Sequence, residues 1–401
     1  MTTARILFWI SSGFVIYVYA GYPLLLWLLQ AVFRSSPRRQ PIEPSVSLLV
    51  AAYNESAVIA DKIRNSLALD YPVDKLEIVV ASDGSKDATA EIVRVFCQGE
   101  SETRSATEGG TEAGGRIRLL EYEKNRGKMA VLNDAVRELR GDIVAFSDAS
   151  SMLAADSLRV LVQSFDDARV GAASGVYRLL KKDQAQLGSQ EDLYWKYETF
   201  LKVQEAKLGA FTGAHGSLYA IRGALYPFPP LNTINDDFTI PMRILERGHR
   251  VAYEPGAVAY EEAHEMEGFS RRVRITAGNI EQLREIKGLI WPPRPFVLFC
   301  LLSHKTGRLL VPVFMIIAFG ANIALRGQFL YNWLLLGQML FYGLAGLGAV
   351  ASLKPKVLRL PYYFCMINSA LFAWVYQAVR HGRAIPSRVE LDRLGNHPPV
   401  R

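Results

Sequence analysis

Ala51-Ala52-Tyr53-Asn54-Glu55 closes one apolar run, Ser82-Asp83-Gly84-Ser85 a second, and Phe146-Ser147-Asp148-Ala149-Ser150 a third. Polar residues directly after an apolar strand stand where an open parallel sheet meets its ligands. Asn54 and Glu55 are placed to contact a polar ligand, although Asn54 or Ser56 could equally cap the helix that follows. Asp83 can accept from a nucleobase or ribose while Gly84 turns the chain tightly; a ligand-free Asp-Gly turn has the same appearance. Asp148 can hold Mg²⁺ or Mn²⁺ that also binds phosphate oxygens, with Ser150 adding a hydroxyl or a water-mediated contact. One carboxylate alone is a weak metal signature.

Asn125-Arg126-Gly127-Lys128 stands at a helix start, which favours anionic groups. The GxxxxGK[ST] spacing of a P-loop is absent, and solvated loop cations would read the same way. Further on come Gly213-Ala-His-Gly-Ser217 and then Ile234-Asn-Asp236-Asp237-Phe238. Adjacent carboxylates that open a helical run suit capping, proton acceptance, or both. Arg271-Arg272-Val273-Arg274 opens another helix. Its arginines can neutralise a departing diphosphate or form a basic patch at a membrane surface.

Hydrophobic periodicity locates the elements that must position these residues. Val46–Ala52, Leu76–Ser82, Ile117–Tyr122 and Asp142–Ser147 read as strands; Ala57–Leu69, Ala88–Phe96 and Lys128–Leu139 read as helices between them. The alternation predicts an α/β unit over residues 40–290 with a mostly parallel sheet. Gln98–Gly115 is rich in Gly, Ser, Thr and Glu, which predicts a flexible surface loop with no chemistry.

Residues 6–33 carry no charge and are long enough to cross about 30 Å of hydrocarbon. Arg34, Arg38 and Arg39 follow them, which predicts an uncleaved anchor over residues 1–39 and places the next unit in the cytoplasm. Apolar sequence returns after Trp291. Phe296–Leu302, broken by Ser303–Arg308, predicts an interfacial helix; Leu309–Leu325, Phe329–Leu353 and Leu360–Val379 are candidate spans. Residues 291–380 thus hold an interfacial helix and two or three spans, and 381–401 form a tail. If every candidate crosses, Lys354, Lys356 and Arg359 lie opposite Arg380, Arg383 and Arg388, so a re-entrant or interfacial last segment stays open.

Half of the 401 residues are apolar and 21% are charged, which excludes a disordered chain. The net charge of +7 is uneven: from Arg271 onward 17 Lys+Arg face 4 Asp+Glu, and the preceding residues sum to −6. Basic residues beside long apolar runs flank membranes and do not form a nucleic-acid surface, so no nucleic-acid partner is expected. Cys97, Cys300 and Cys365 are odd in number, widely spaced and without CxxC, which predicts neither a disulfide framework nor a zinc site.

In this order the motifs resemble the membrane-bound inverting glycosyltransferases of family 2, relatives of the cellulose, chitin and hyaluronan synthases, over Pro44 to Gly288. The resemblance implies a GT-A fold: a Rossmann-like, mostly parallel α/β catalytic domain with flanking transmembrane helices. It implies that Ala52, Tyr53, Glu55 and Asp83 frame the nucleotide and that Lys128 lies near its sugar. Asp148 matches the first Asp of the metal-binding Asp-x-Asp, which implies Mg²⁺ or Mn²⁺. Asp237, beside Asp236, matches the catalytic base, and Arg271 and Arg274 match the first and fourth positions of Gln-x-x-Arg-Trp. Three positions depart from the pattern: Ser150 replaces the second Asp, Arg271 replaces Gln, and Ile275 replaces Trp. Ile275 offers no aromatic stack to an acceptor sugar, a contact worth about 1 kcal/mol, which weighs against cellulose-like processivity.

The implied activity is inverting hexosyl transfer from a nucleoside diphosphate sugar, a UDP-sugar foremost, to a membrane-associated glycan or lipid-linked acceptor in polysaccharide biosynthesis. It implies a multi-pass protein of the cell (inner) membrane, with membrane lipids as partners and room for export or accessory subunits. Two alternatives remain open: a polyprenyl-phosphate monoglycosyltransferase, with the same motifs, and a non-catalytic nucleotide-sugar-binding subunit, supported by the reduced Asp148-Ala-Ser150 motif.

Overall fold

The computed structural model describes residues 1–33, 39–108, 115–180, 188–262, 268–285, 294–350 and 356–381. The chain divides into two compact units, one of residues 34–184 and 195–263, the other of residues 1–33, 185–194 and 264–401.

In the first unit, β1 (Val46–Ala52), β2 (Leu76–Asp83), β3 (Ile117–Tyr122) and β4 (Ile143–Phe146) pair in parallel, in the order β3-β2-β1-β4. The intervening helices are α1 (Ile59–Leu67), α2 (Thr89–Glu108) and α3 (Lys128–Ala135). Leu48, Val50, Ile78, Val80 and Ala145 form the middle of a core that Ile59, Ile63 and Val93 cover from the helices. Burial on both faces explains why these strands read as continuous apolar runs. The loop expected over Gln98–Gly115 is helical as far as Glu108; α2 runs through it, because its Glu, Arg and Ala residues tolerate helix better than the Gly and Ser content suggested.

Beyond β4 the chain adds β5 (Met152–Leu153), α4 (Ser157–Val162), β6 (Val170–Leu180), α5 (Gly188–Lys207), β7 (Tyr219–Arg222), α6 (Asp236–Glu246) and β8 (Arg250–Glu262). They extend the sheet to eight strands, ordered β3-β2-β1-β4-β7-β6-β8-β5. Here β7 is antiparallel to β4 and β6, and β5 is antiparallel to β8. The first half of the sheet is therefore parallel and the second mixed. Ala52 lies opposite Ser82, and Leu49 opposite Phe146, so the chemistry-bearing ends of β1, β2 and β4 reach one edge.

In the second unit Thr2–Ile16 continues through a π-helical turn, Tyr17–Gly21, into Tyr22–Phe33. Pro295–Cys300 continues likewise through Leu301–Thr306 into Gly307–Ala324. The break expected at Ser303–Arg308 is thus absorbed as a wider helical turn, with Ser303 and His304 buried. Tyr17 and Ser303 hydroxyls lie 2.7 Å apart, and the Phe14 and Phe314 rings stack at 4.1 Å. Among the described residues three helices are long and apolar enough to cross a membrane: Thr2–Phe33, Pro295–Ala324 and Phe329–Val350. Lys356–His381 is a further helix, with Pro361 inside it.

Candidate active site

Two loops leave the sheet edge locked together. Asn54 adopts a left-handed backbone (φ 56°), and its side-chain oxygen accepts from the Lys86 N–H at 2.8 Å. The Asn54 and Glu55 N–H groups donate to Ser85 Oγ (3.1 Å) and Thr89 Oγ1 (2.8 Å). Neither Asn54 nor Ser56 caps α1, whose first residue is preceded by Val58 with no side-chain cap. Ala52 is buried, whereas Tyr53 is 42% exposed, which leaves its ring open at the edge.

Asp83 is buried, and both its oxygens are taken by the next loop: Arg126 N–H donates to Oδ1 and Gly127 N–H to Oδ2, each at 2.8 Å. Gly84 (φ 64°) lets that loop approach, because a side chain there would place Cβ 2.5 Å from Asn125 N. Asp83 therefore holds the loop that launches α3 and Lys128.

Lys128 is the hub. Its Nζ lies 2.9 Å from Asp148 Oδ1 and 3.1 Å from Asp236 Oδ1. Asp236, buried at the start of α6, also accepts from the Tyr219 hydroxyl at 3.1 Å. Tyr219 is itself fixed by stacking on Phe146 at 4.7 Å. Asp237 is partly exposed, and its carbonyl accepts from Ala214 N–H at 3.0 Å. Desolvation, and then the Asp236 carboxylate beside it, push Asp237 up to about 6, while Lys128 and Lys202 pull the other way. The loop that holds Asp237 also touches Asp148: a Cβ on Gly216 would lie 2.9 Å from Asp148 Oδ2. Asp148, Asp236, Asp237 and Lys128 consequently form one electrostatic unit.

Among the described residues no three His, Cys, Asp or Glu side chains gather into a ready metal cage. The oxygens present nonetheless suit a hard divalent ion, which commonly takes one or two carboxylates plus substrate phosphates. Asp148 Oδ2 faces the bare Gly216, and the Ser150 hydroxyl is held by Glu261 Oε1 at 2.9 Å. Arg271 and Arg274 lie on the helix Gly268–Glu285 of the other unit, with side chains outside those described.

The glycosyltransferase like family 2 profile matches residues 44–277, more than half of the chain. The chain belongs to this family. It is a glycosyltransferase with a GT-A-type sheet, and the resemblance read from its motifs holds. The poly-β-1,6-N-acetyl-D-glucosamine synthase of Staphylococcus aureus (strain COL) is 26% identical over 244 residues, 59% of this chain and 55% of that protein. The enzyme of the same name from Staphylococcus epidermidis is 23% identical over 283 residues, 65% of each. The chain thus spans about half the length of the first of these relatives. Among solved structures, the mannosyltransferase PcManGT from Pyrobaculum calidifontis, in complex with GDP-Man and Mn²⁺, is 25% identical with a TM-score of 0.69, over 92% of this chain and 99% of that one.

Sequence reasoning named Lys128, Asp148, Asp236 and Asp237 but not their mutual contacts. Tyr219, Lys202 and Lys62 lie outside the motifs singled out in the sequence. Lys62 had a signal: it shares the buried face of α1 with Ile59 and Ile63. Tyr219 had none, because its role depends on which strands become neighbours; Gly216 belongs to the Gly213–Ser217 motif, but its closeness to Asp148 shows only in the fold.

Proposed function

We propose that this family 2 glycosyltransferase moves a hexose, with inversion, from a nucleoside diphosphate sugar to a membrane-associated glycan or lipid-linked acceptor. The observation that carries this reading is the Lys128 bridge between Asp148 and Asp236, beside an Asp237 poised near neutrality. A base whose pKa lies close to working pH is present in its active form and still accepts a proton readily.

In the proposed reaction Asp237 takes the proton of the acceptor hydroxyl as that oxygen bonds to the anomeric carbon. The bond from the anomeric carbon to the diphosphate breaks on the opposite face, through an oxocarbenium-like state. Lys128 meets the departing negative charge, and Asp236 holds Lys128 in place. Ala52, Tyr53 and Glu55 border the nucleotide, and Asp83 acts on it by shaping the Lys128 loop. Arg271 and Arg274 are proposed for the diphosphate. Asp148 would hold a divalent ion, Mg²⁺ or Mn²⁺, which would supply further charge neutralisation for the leaving diphosphate.

The three long apolar helices support a multi-pass membrane protein with the catalytic unit on the cytoplasmic side, where Arg34, Arg38 and Arg39 follow the first of them. The similarity to poly-β-1,6-N-acetyl-D-glucosamine synthases supports a polymer product, and the motif resemblance supports a UDP-sugar donor. A second reading, mannosyl transfer from GDP-mannose, draws on PcManGT, which matches nearly end to end; the single lipid-linked acceptor in it is the polyprenyl-phosphate alternative that the motifs share. Membranes containing the protein, incubated with radiolabelled UDP-N-acetylglucosamine or GDP-mannose and Mn²⁺, test both. Label in a ladder of glycans supports the first reading and label in one lipid-extractable species the second. No label from any nucleotide sugar in a broad panel overturns the transferase assignment of this site.

A further inference from the structure

Lys62 lies on α1, is not among the groups given a chemical role above, and is fully buried. Its neighbours on that face are Ile59, Ile63 and Ser66. The ammonium donates to Ser147 Oγ at 2.6 Å and to the Ser151 carbonyl. Ser147 Oγ in turn donates to the Ser217 carbonyl at 2.6 Å. A lysine held only by a hydroxyl and a carbonyl, with Ile on either side, is an expensive way to fill a core. Burial pulls Lys62 down to about 7, and the Asp148 carboxylate is the charge that acts against this.

The placement of the acceptors is informative. Ser147 and Ser151 are the two ends of the turn whose interior is Asp148, Ala149 and Ser150. Ser217 is next to Gly216, whose bare Cα faces Asp148 Oδ2. One ammonium therefore pins both ends of the turn carrying Asp148 and, through Ser147, the loop packed against that carboxylate. The Asp148 side chain is 41% exposed and meets Lys128 at its outer face, while the turn beneath it is held from the core by Lys62.

We propose that Lys62 is a positioning residue for the metal carboxylate: it clamps the Ser147–Ser151 turn so that Asp148 presents its oxygens to a divalent cation in one geometry. This rests on the proposed role of Asp148. Lys62 touches neither donor nor metal, and it acts from behind the site as an outer partner of a metal ligand does. The proposal separates stability from function. Lys62→Met relieves the burial of an ammonium but leaves the Ser151 carbonyl without its donor, so its effects on stability oppose one another, whereas loss of the clamp loosens Asp148.

The test uses the full-length protein in detergent, with Mn²⁺ binding followed by electron paramagnetic resonance, alone and with UDP or GDP. For Lys62→Met we expect a thermal midpoint near that of wild type, unchanged metal-free nucleotide binding, and Mn²⁺ affinity weaker by about tenfold or more. A folded Lys62→Met with wild-type or tighter Mn²⁺ affinity overturns the proposal, as does a parallel fall in stability and metal-free nucleotide binding. Should Lys62→Met not fold, Ser147→Ala removes one of the two anchors; weaker Mn²⁺ binding is expected, and wild-type affinity overturns the clamp. If the wild-type protein binds no Mn²⁺ and Asp148→Asn changes nothing, the metal role of Asp148 fails, which is a different result from a silent Lys62.

Discussion

An Asp237→Asn substitution removes one proton acceptor and one negative charge while leaving the side chain's shape almost unchanged. Loss of a positioned base slows transfer by about 10²- to 10⁴-fold. The same change has an opposite effect on stability. The rise of Asp237 from 3.8 to about 6 corresponds to about 3 kcal/mol of unfavourable ionisation in the folded state. Residue Asp237 as a whole is partly exposed, which lowers this to about 1–2 kcal/mol. The sign follows from linkage. A carboxyl whose folded pKa is raised adds no penalty below pH 3.8, a growing one between pH 3.8 and 6, and its full penalty above pH 6. Asn carries no charge, so Asp237→Asn is more stable than wild type by about 1–2 kcal/mol at pH 7.5, and this advantage vanishes near pH 4. In the wild-type enzyme kcat/KM falls about tenfold per pH unit below pH 6 and is level above it until another group titrates. Denaturation at pH 4 and 7.5, together with transfer rates from pH 5 to 8, measures all of this. A variant that retains more than a tenth of wild-type transfer, or that is less stable than wild type at pH 7.5, refutes the reasoning.

Gly216→Ala places a methyl group 2.9 Å from Asp148 Oδ2, which can rotate away; the expected result is a stability change below about 1 kcal/mol with clearly weakened Mn²⁺ binding, read by calorimetry and paramagnetic resonance. Gly84→Ala drives Cβ to 2.5 Å from backbone atoms of Lys124 and Asn125 at a φ of 64°, so it costs more than about 2 kcal/mol and lowers the yield of folded protein, seen as an early denaturation midpoint. Lys128→Met strips the buried Asp236 carboxylate of its ion pair; chemical denaturation should show a loss of about 1–3 kcal/mol, and the acid limb of the activity profile should move upward because an attractive charge has left Asp237.

Much of the parallel half of the fold was legible because its physics is local. Val46–Ala52 and Ile117–Tyr122 are strands with the boundaries their apolar runs suggest, and Lys128 does begin a helix. Composition misled where it stood in for conformation. Gln98–Glu108 is helix despite its Gly and Ser, and Ser303–Arg308 widens a helix instead of breaking it. The motif residues were legible too, since a carboxylate after an apolar strand is a pattern within a few residues. Their partnerships were not: Lys128 meets Asp148 and Asp236 across separations of 20 and 108 residues, and Asp83 spends both oxygens on backbone N–H groups of a distant loop.

What the chain determined by itself was the inventory: which strands form, which residues cap them with charge, which segments are apolar enough for a bilayer, and which family pattern they follow. Periodicity and residue chemistry are properties of neighbours in sequence, so they survive without coordinates. Folding alone decided that one lysine neutralises two carboxylates, that the next carboxyl is raised towards neutrality, and that a second lysine is buried behind the Asp148 turn. Those outcomes depend on desolvation and on distances of about 3 Å between remote segments, and both exist only once the sheet has brought β1, β2, β4 and β7 side by side.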